Sequence, residues 1–464
     1  FSPAAGLMGA GVMAVSPFAV YLSQEARHYT LPMVLIVLAL LGLIQIQQHL
    51  CKARFPPAAV WLGWVIVNSI GFYVHYFFIL AFIAQVMTLI ERFYRCTLPR
   101  RYWGGVALAV TSVGLSYLLW VPTLLGHLSR PETDWLKLSP HGWVSQIAPI
   151  YQMLAGWLIM VIALPIENQP FWSAVPAALL MVLFGGWLGL QSIRGMRQLW
   201  QTPQTYPATQ TLASFTLWVL LEFFVIVYLL GKDITVAPRY NFTYYPSICA
   251  LLGASLVNLP SPSQPRVPAQ PNPLDAFCKA FGFGKSRRSK AFQIQATVLL
   301  VGVLSCFCVV YDLAFQKPFY PQRVAKHLSQ EPAASLAVVV RYDTFQDVAL
   351  GMSYALQVDK LYPHRNQGAP NAYWAFFQQS PADVAKLAPG QESAWQNFPK
   401  VVYPLNLWLI SPRHPQQSYP LSLTISQTGK QLQATCTLDP NQSSEVSGIS
   451  SQYYRCHPDL PPKE

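Results

Sequence analysis

The sequence predicts an α-helical polytopic membrane bundle followed by a small C-terminal extramembrane α/β domain. Charged residues make up only 11% of the chain, hydrophobic residues make up 53%, and the mean hydropathy is +0.30. Soluble domains carry about 25% charged residues. Apolar runs long enough to cross a bilayer recur through residues 1–312, whereas residues 312–464 carry nearly balanced charges, with 12 Lys and Arg against 11 Asp and Glu.

Nine apolar runs approach the length of about 20 residues that a transmembrane helix needs. In chain order they are 3–21, 31–48, 57–73, 76–91, 102–122, 171–191, 209–230, 241–259 and 291–312. These spans define a transmembrane domain over residues 1–312. Because an apolar run already begins near Phe1, we expect the chain to lack its first spans and its first external loop.

The basic residues between the spans predict the orientation of the bundle. Fourteen Lys and Arg residues lie in one alternating set of loops, and five lie in the other set. Cytoplasmic loops are enriched in Lys and Arg, so the first set is predicted to be cytoplasmic. The stretch 146–164 is apolar as well, but a crossing there would move Arg194 and Arg197 outside. We therefore expect 146–164 to be re-entrant or interfacial.

The positive charge does not indicate a nucleic-acid partner. The net charge is +12, but the excess lies in short loops beside apolar runs rather than on one face of a soluble domain. Residues 260–290 are rich in Pro, Ser and basic residues and are predicted to form a flexible cytoplasmic linker.

Residues 316–464 are predicted to form the extramembrane α/β domain. Ser335–Tyr342 has the pattern of a buried strand and Phe345–Val358 that of a helix, with further strands at Val401–Ile410 and Leu421–Ser426. About 150 residues suffice for an independent core.

The eight cysteines follow the predicted topology. Only Cys436 and Cys456 fall in the C-terminal domain, and an oxidising compartment would permit a disulfide between them. Two free thiols are the alternative.

Charged side chains are scarce in the predicted external loops, so each one is a candidate for function. Glu25, Arg27 and His28 lie in the first external hairpin, where Glu25 and Arg27 either pair with each other or leave Arg27 to bind an anion. The planar guanidinium of arginine suits phosphate or carboxylate.

Three further external segments carry candidates. His75 lies in the turn after the third run, where a structural histidine beside an aromatic belt is an equally good explanation. Lys232, Asp233 and Arg239 precede Tyr240 in a second plausible anion cradle. Asp134 and Trp135 lie in the long loop and suit a sugar contact, or an ordinary surface loop. Glu222 lies within the run 209–230, at a depth where carboxylates face a partner or a cavity.

Several motifs resemble one enzyme family. "SPF…YLSQEARHY" (residues 16–29), "VHYFF" with "AQ" (74–78 and 84–85) and "APRYNFTYYPSICALLGASL" (237–256) occur in the order seen in GT-C membrane glycosyltransferases. The branch is family 39-like, with protein O-mannosyltransferases, aminoarabinose transferases and their bacterial relatives. The resemblance extends over roughly residues 1–312, and the C-terminal domain has no such signature.

The resemblance implies transfer of a sugar from a polyprenyl-phosphate donor to a lipid, glycan or protein acceptor at the periplasmic face of a bacterial inner membrane. It implies a catalytic Asp in a loop before Phe1, so that this chain alone would be inactive. Donor-phosphate contacts are assigned by position to Arg27, Arg239, His75 and Lys232. Supporting roles are assigned to Glu25, Tyr29, Asp134, Trp135, Asp233 and Tyr240. A divalent metal is possible within the superfamily, and we assign no ligand to one.

Two other classes of protein remain open. A transporter or flippase for an anionic lipid would use the same basic residues, although the internal repeats expected of transporters are not evident. A non-catalytic membrane scaffold would use the C-terminal domain to bind a partner.

Overall fold

The computed structural model describes most of the chain in two compact units, Phe1–Phe315 and Gln316–Glu464. Unit 1 is a bundle of helices and unit 2 is a mixed sheet with helices, which confirms a helical bundle followed by a smaller α/β unit. The described residues are 1–25, 28–95, 102–128, 136, 143–259, 288–316, 319–329, 335–361, 372–378, 393–398, 405–412, 419, 421–427, 433–446 and 449–458.

Unit 1 contains twelve described α-helices. They are α1 (Pro3–Ala14), α2 (Pro17–Gln24), α3 (Thr30–Cys51), α4 (Ala58–Val74), α5 (Phe78–Arg95), α6 (Trp103–Tyr117), α7 (Val121–Leu128), α8 (Trp143–Val161), α9 (Phe171–Gln201), α10 (Tyr206–Leu230), α11 (Tyr245–Val257) and α12 (Arg288–Val310). Short 3-10 turns lie at Leu118–Trp120, Ile234–Val236 and Pro238–Thr243.

Six of the described helices are long and apolar enough to cross a membrane, or seven if the bent pair α1–α2 is one span. Their apolar side chains face outward, and only 11% of the most apolar window of α9 is buried. This is the distribution expected where lipid, rather than water, surrounds the helices. The described helices therefore support membrane insertion by length and composition.

The helices differ from the predicted runs in four places. Three of the nine runs do not rank among the candidate spans. The runs 57–73 and 241–259 form the shorter apolar helices α4 and α11, and the run 76–91 forms α5, whose last turns carry Glu91, Arg92 and Arg95. Helix α9 continues to Gln201, ten residues beyond its predicted end, because nothing in the sequence stops it before Thr202. Residues 146–164, expected to be re-entrant or interfacial, lie mostly in the continuous 19-residue helix α8, which has the length and hydropathy of a span. Residues 260–287 of the predicted linker 260–290 lie outside the described residues, and residues 288–290 form the start of α12.

The fourth difference is a break in the run 3–21, which was predicted to be one span. The axes of α1 and α2 differ by 53°. The chain breaks because Pro17 has no N–H for α1 to continue through, and because the hydroxyl of Ser16 instead accepts a bond from the N–H of Ala19 (3.4 Å) and starts a new helix.

Small residues allow α1 and α11 to pack with their backbones in contact. A Cβ placed on Gly253 would lie 2.3 Å from the backbone nitrogen of Gly9, and one on Gly9 would lie 3.2 Å from the carbonyl oxygen of Cys249. Gly195 of α9 approaches the backbone of Ser255 in the same way. Close approach of this kind is typical of membrane helices, which gain little from hydrophobic burial against each other.

Buried polar side chains also join the helices. Trp64 of α4 donates to the Gln85 side-chain oxygen (2.8 Å), and the Gln85 amide donates to Asn68 (3.0 Å). These three side chains are almost completely buried. Side-chain hydrogen bonds between helices contribute about 0.6 kcal/mol each in membrane proteins, so the network fixes register more than it adds stability.

Unit 2 is built on a seven-stranded mixed sheet among the described residues. The strands are β1 (Ser335–Tyr342), β2 (Ala372–Gln378), β3 (Ser393–Phe398), β4 (Leu405–Pro412), β5 (Ser422–Gln427), β6 (Gln433–Val446) and β7 (Ile449–Pro458), in the order β2-β1-β4-β7-β6-β5-β3. Strand β1 is parallel to both β2 and β4, and β3 is parallel to β5. Helices α13 (Pro321–Leu328) and α14 (Phe345–Leu361) complete the unit.

The two faces of the sheet carry separate apolar cores. Leu336, Val338 and Val340 of β1 pack with α13 and α14 on one face. Ala337 and Val339 point to the other face, where Cys436 and Cys456 lie. These cysteines are directly opposite each other on β6 and β7, and their sulfur atoms are bonded. Because both faces of β1 are buried, its sequence is a continuous apolar run, which made the strand recognisable.

His327 makes unit 2 sensitive to pH. Its ring lies 5.0 Å from that of Trp408, and burial, with a smaller effect from Arg323, holds the pKa of His327 below its usual range. At a pH between the two pKa values, the unfolded chain binds a proton at His327 that the folded chain does not. The contribution of neutral His327 to the free energy of unfolding is therefore fully present above about pH 6.5 and decreases as the pH falls below that value.

We therefore expect amides of β1 and β4 to lose hydrogen-exchange protection between pH 7.5 and pH 5.5, after correction for intrinsic exchange. His327→Gln should remove this pH dependence. An equal loss of protection in His327→Gln and wild type would show that another group is responsible.

Candidate functional site

Three connections at one end of unit 1 bring aromatic and ionisable side chains together. They join α2 to α3, α4 to α5, and α10 to α11. We call the resulting group the aromatic–ionisable cluster, and it consists of Tyr21, Glu25, His28, Tyr29, His75, Phe77, Arg239, Tyr240 and Phe242.

His75 lies at the centre of the cluster. Its ring is 5.5 Å from that of Tyr29 and 4.7 Å from that of Phe242. The backbone N–H of Phe77 donates to Nδ1 of His75 (3.1 Å). In the neutral ring the proton is therefore on Nε2, which makes Nε2 a hydrogen-bond donor.

His28 adds a second imidazole beside His75. The two ring centroids are 6.5 Å apart, and Nε2 of His28 is 2.6 Å from the carbonyl oxygen of Val74, to which it donates. This bond connects the α2–α3 turn to the end of α4.

Arg239 is held over an aromatic surface. Its guanidinium carbon lies 5.4 Å from the ring centroid of Tyr240, and the ring of Tyr240 stacks on Phe77 at 4.4 Å. A cation–π contact of this kind contributes about 0.5–1 kcal/mol when partly exposed. The stack therefore orients a half-buried guanidinium at the end of the bundle.

Tyr21 connects Glu25 to the rest of the cluster. Its hydroxyl hydrogen-bonds to the Glu25 carboxylate, and Arg239 and Tyr29 are within electrostatic range of it. The cluster thus combines a guanidinium, two imidazoles and a carboxylate with several aromatic faces. Such a set can bind an oxyanion while the aromatic rings contact an apolar or sugar moiety.

The structure brings five of the predicted residues into the cluster, namely Glu25, Tyr29, His75, Arg239 and Tyr240. Asp233 instead has a local structural contact, because its carboxylate accepts from the N–H (3.0 Å) and the hydroxyl (2.5 Å) of Thr235 and caps the turn Ile234–Val236. Lys232 precedes it, half-buried, in the same turn. Arg27, Asp134 and Trp135 lie outside the described residues.

Sequence reasoning did not assign Tyr21, Phe77 or Phe242 to the site, and it named His28 as a candidate without giving it a role. Tyr21 and His28 belong to the same motif as Glu25 and Tyr29, so their position in that hairpin was the available signal. Phe242 was hidden, because the segment after Tyr240 resembles the start of a span.

An apolar cavity of about 270 Å³ lies among α1, α8, α9, α10 and α11. Val12, Trp157, Met160, Leu251 and Leu252 are among its lining residues, and Tyr245 lines it at the first turn of α11. With few polar groups, the cavity suits a hydrocarbon chain rather than a charged group. Its lining residue Tyr245 follows the turn Pro238–Thr243, which carries Arg239, by two residues along the chain.

No protein-family model and no curated protein matches the chain. Within the described parts of the chain, no group of three or more His, Cys, Asp and Glu side chains is arranged to hold a metal ion. The cluster and the cavity are therefore the features of the structure that bear on function.

Proposed function

We propose that the chain is a membrane glycosyltransferase of GT-C type, which transfers a sugar from a polyprenyl-phosphate donor to an acceptor. The reaction would take place at the periplasmic face of a bacterial inner membrane, with unit 2 on the same side. Three lines support the proposal: the resemblance of the motifs, the apolar helices, and the cluster at the predicted outer end of the bundle.

The observation that carries the proposal is the convergence of Arg239, His75 and Tyr29. They come from three connections separated in sequence by up to 210 residues, yet they surround one place at the end of the bundle. All three lie in motifs that carry the resemblance, and the sequence alone led us to assign Arg239 and His75 to the donor phosphate. In the proposed role Arg239, with Nε2–H of His75, stabilises the donor phosphate as the bond to the sugar breaks.

The cavity supports an amphiphilic donor. A polyprenyl phosphate has one anionic end and a long apolar chain. Tyr245, which lines the cavity, follows Arg239 by six residues, so we place the phosphate at the cluster and the hydrocarbon beside Tyr245 and Leu252.

The test uses the full-length protein in nanodiscs with a radiolabelled pool of polyprenyl-phosphate sugars and membrane acceptors. We expect wild type to transfer label, and Arg239→Ala to bind polyprenyl phosphate about 10- to 100-fold more weakly, since a hydrogen bond to a charged group contributes about 1.5–3 kcal/mol. Arg239→Lys should lie between the two, because it keeps the charge but loses the planar fork.

Arg194→Ala is the matched control. Arg194 is exposed in the C-terminal part of α9 and does not belong to the cluster. Its replacement removes one positive charge, as Arg239→Ala does, and should leave binding unchanged. Equal binding by wild type and Arg239→Ala would show that the phosphate does not bind at the cluster. Binding without transfer across several donors and acceptors would argue against the glycosyltransferase.

A transporter for an anionic lipid is the second candidate function. The observation that favours it is the 53° break between α1 and α2, because transporters often form substrate sites from discontinuous helices. Movement of a fluorescent polyprenyl phosphate between leaflets, with no transfer of sugar, would support this candidate over the first.

A further inference from the structure

Glu222 is a buried carboxyl group that the cluster does not use. It lies in the apolar helix α10, eight residues before Leu230, or about 12 Å from the end of the helix. Both of its carboxyl oxygens are buried, and neither has a hydrogen-bond partner in the described part of the structure.

The surroundings of Glu222 are apolar. Phe215 and Val219 lie seven and three residues earlier on the same side of α10, and Phe223 follows directly. All three have no exposed surface. A carboxylate in such surroundings would lose its hydration without gaining compensating bonds, which strongly favours the neutral acid.

The charged and titratable groups on the elements packed against α10 do not supply a counter-charge at this depth. On α5, α9, α11 and the residues between α10 and Ile234 they are Glu91, Arg92, Tyr94, Arg95, Arg194, Arg197, Tyr245, Cys249, Lys232 and Asp233. Lys232 lies beyond the end of α10, ten residues after Glu222. Those of α5 that contact α10 meet it far from Glu222: Arg92 donates to Gln210 (2.9 Å), and Glu91 accepts from Ser214. Gln210 and Ser214 are twelve and eight residues before Glu222, about 18 Å and 12 Å along the helix.

Glu91 illustrates the hydrogen-bond and ion-pair partners of an ionised glutamate in this bundle. Its carboxylate pairs with Arg95 at 2.7 Å and accepts the Ser214 hydroxyl. Glu222 has neither kind of partner among the described residues. A metal or sodium ion would need several oxygen ligands, and no group of three acidic, His or Cys side chains in the described ranges includes Glu222.

We propose that Glu222 is a proton-binding site inside the helical bundle, with its carboxyl group protonated at neutral pH. This inference is independent of the proposed glycosyltransferase activity. Ionisable residues within membrane segments are expensive to keep and usually functional, so the proton at Glu222 would be part of the working state of unit 1.

Infrared spectroscopy of the full-length protein in nanodiscs tests the proposal. A protonated carboxyl has a C=O stretch well separated from the carboxylate bands. We expect wild type at pH 7 to show this band, Glu222→Gln to lose it, and the matched variant Glu91→Gln to retain it. Raising the sodium concentration at constant pH should not change it.

Three outcomes would overturn the inference. The band could be the same in wild type and Glu222→Gln, which would mean that Glu222 is ionised. It could be lost in Glu91→Gln instead, which would assign the proton to the other glutamate. It could disappear with sodium at constant pH, which would make Glu222 a cation site. Size-exclusion profiles of both variants would establish that each is folded.

Discussion

Replacing Gly253 by alanine is expected to destabilise unit 1 by about 3 kcal/mol, because the added methyl group has no space between α1 and α11. Its carbon would lie 2.3 Å from the nitrogen and 2.5 Å from the Cα of Gly9. Both are backbone atoms, so no side-chain rotation relieves the clash, and the helices must separate. Melting temperature and monodispersity in detergent would measure the effect.

Gly189→Ala in α9 is the control for this prediction. A Cβ at Gly189 would meet nothing within 4 Å. Because alanine favours helix over glycine by about 1 kcal/mol, this variant should be as stable as wild type or slightly more stable. If Gly253→Ala were equally stable, α1 and α11 would not pack as described.

Removing the disulfide of unit 2 is the second change with a large expected effect. The bond joins residues 20 apart in sequence, and closing a loop of this length restricts the unfolded chain by about 3 kcal/mol. Cys436→Ser with Cys456→Ser should therefore lower the free energy of unfolding of unit 2 by about that amount. Hydrogen exchange of the full-length protein would show faster exchange in β5, β6 and β7.

Two comparisons make the disulfide experiment specific. Amides of α10 should exchange at the same rate in the double variant and in wild type, since they belong to the other unit. Cys51→Ser alters an exposed cysteine of unit 1 that is not part of a disulfide, and it should leave β6 and β7 unchanged. Unchanged protection in the double variant would contradict the stabilising role of the bond.

Local sequence predicted much of the fold. The apolar runs that became α3, α10 and α12 were recognisable because each helix carries its own signal for lipid. Strand β1 was predicted with its observed boundaries because a fully buried strand is a continuous apolar run. Strands β6 and β7 were missed, since their polar residues, such as Asn441, Ser443 and Ser444, conceal the alternation.

The candidate site was only partly predictable for a different reason. The external turns identified His75, Tyr29 and Arg239 as candidates, because charged or polar residues are rare there. Which of them meet depends on how α3, α5 and α11 pack, and that packing includes contacts between residues distant in sequence, such as Arg92 of α5 donating to Cys51 of α3 (3.1 Å). Such contacts have no counterpart in local sequence.

The break between α1 and α2 has a consequence for biogenesis. Alone, α1 is about 18 Å long and α2 about 12 Å, so each is too short to cross the hydrocarbon core. The polar groups exposed at the break are satisfied late in the chain: the Ser16 hydroxyl donates to Met160 (2.6 Å), and the Cys306 thiol donates to the Val15 carbonyl (3.1 Å). The partners of these groups therefore become available only after α8 and α12 have been synthesised, although the break itself is set locally by Pro17 and Ser16.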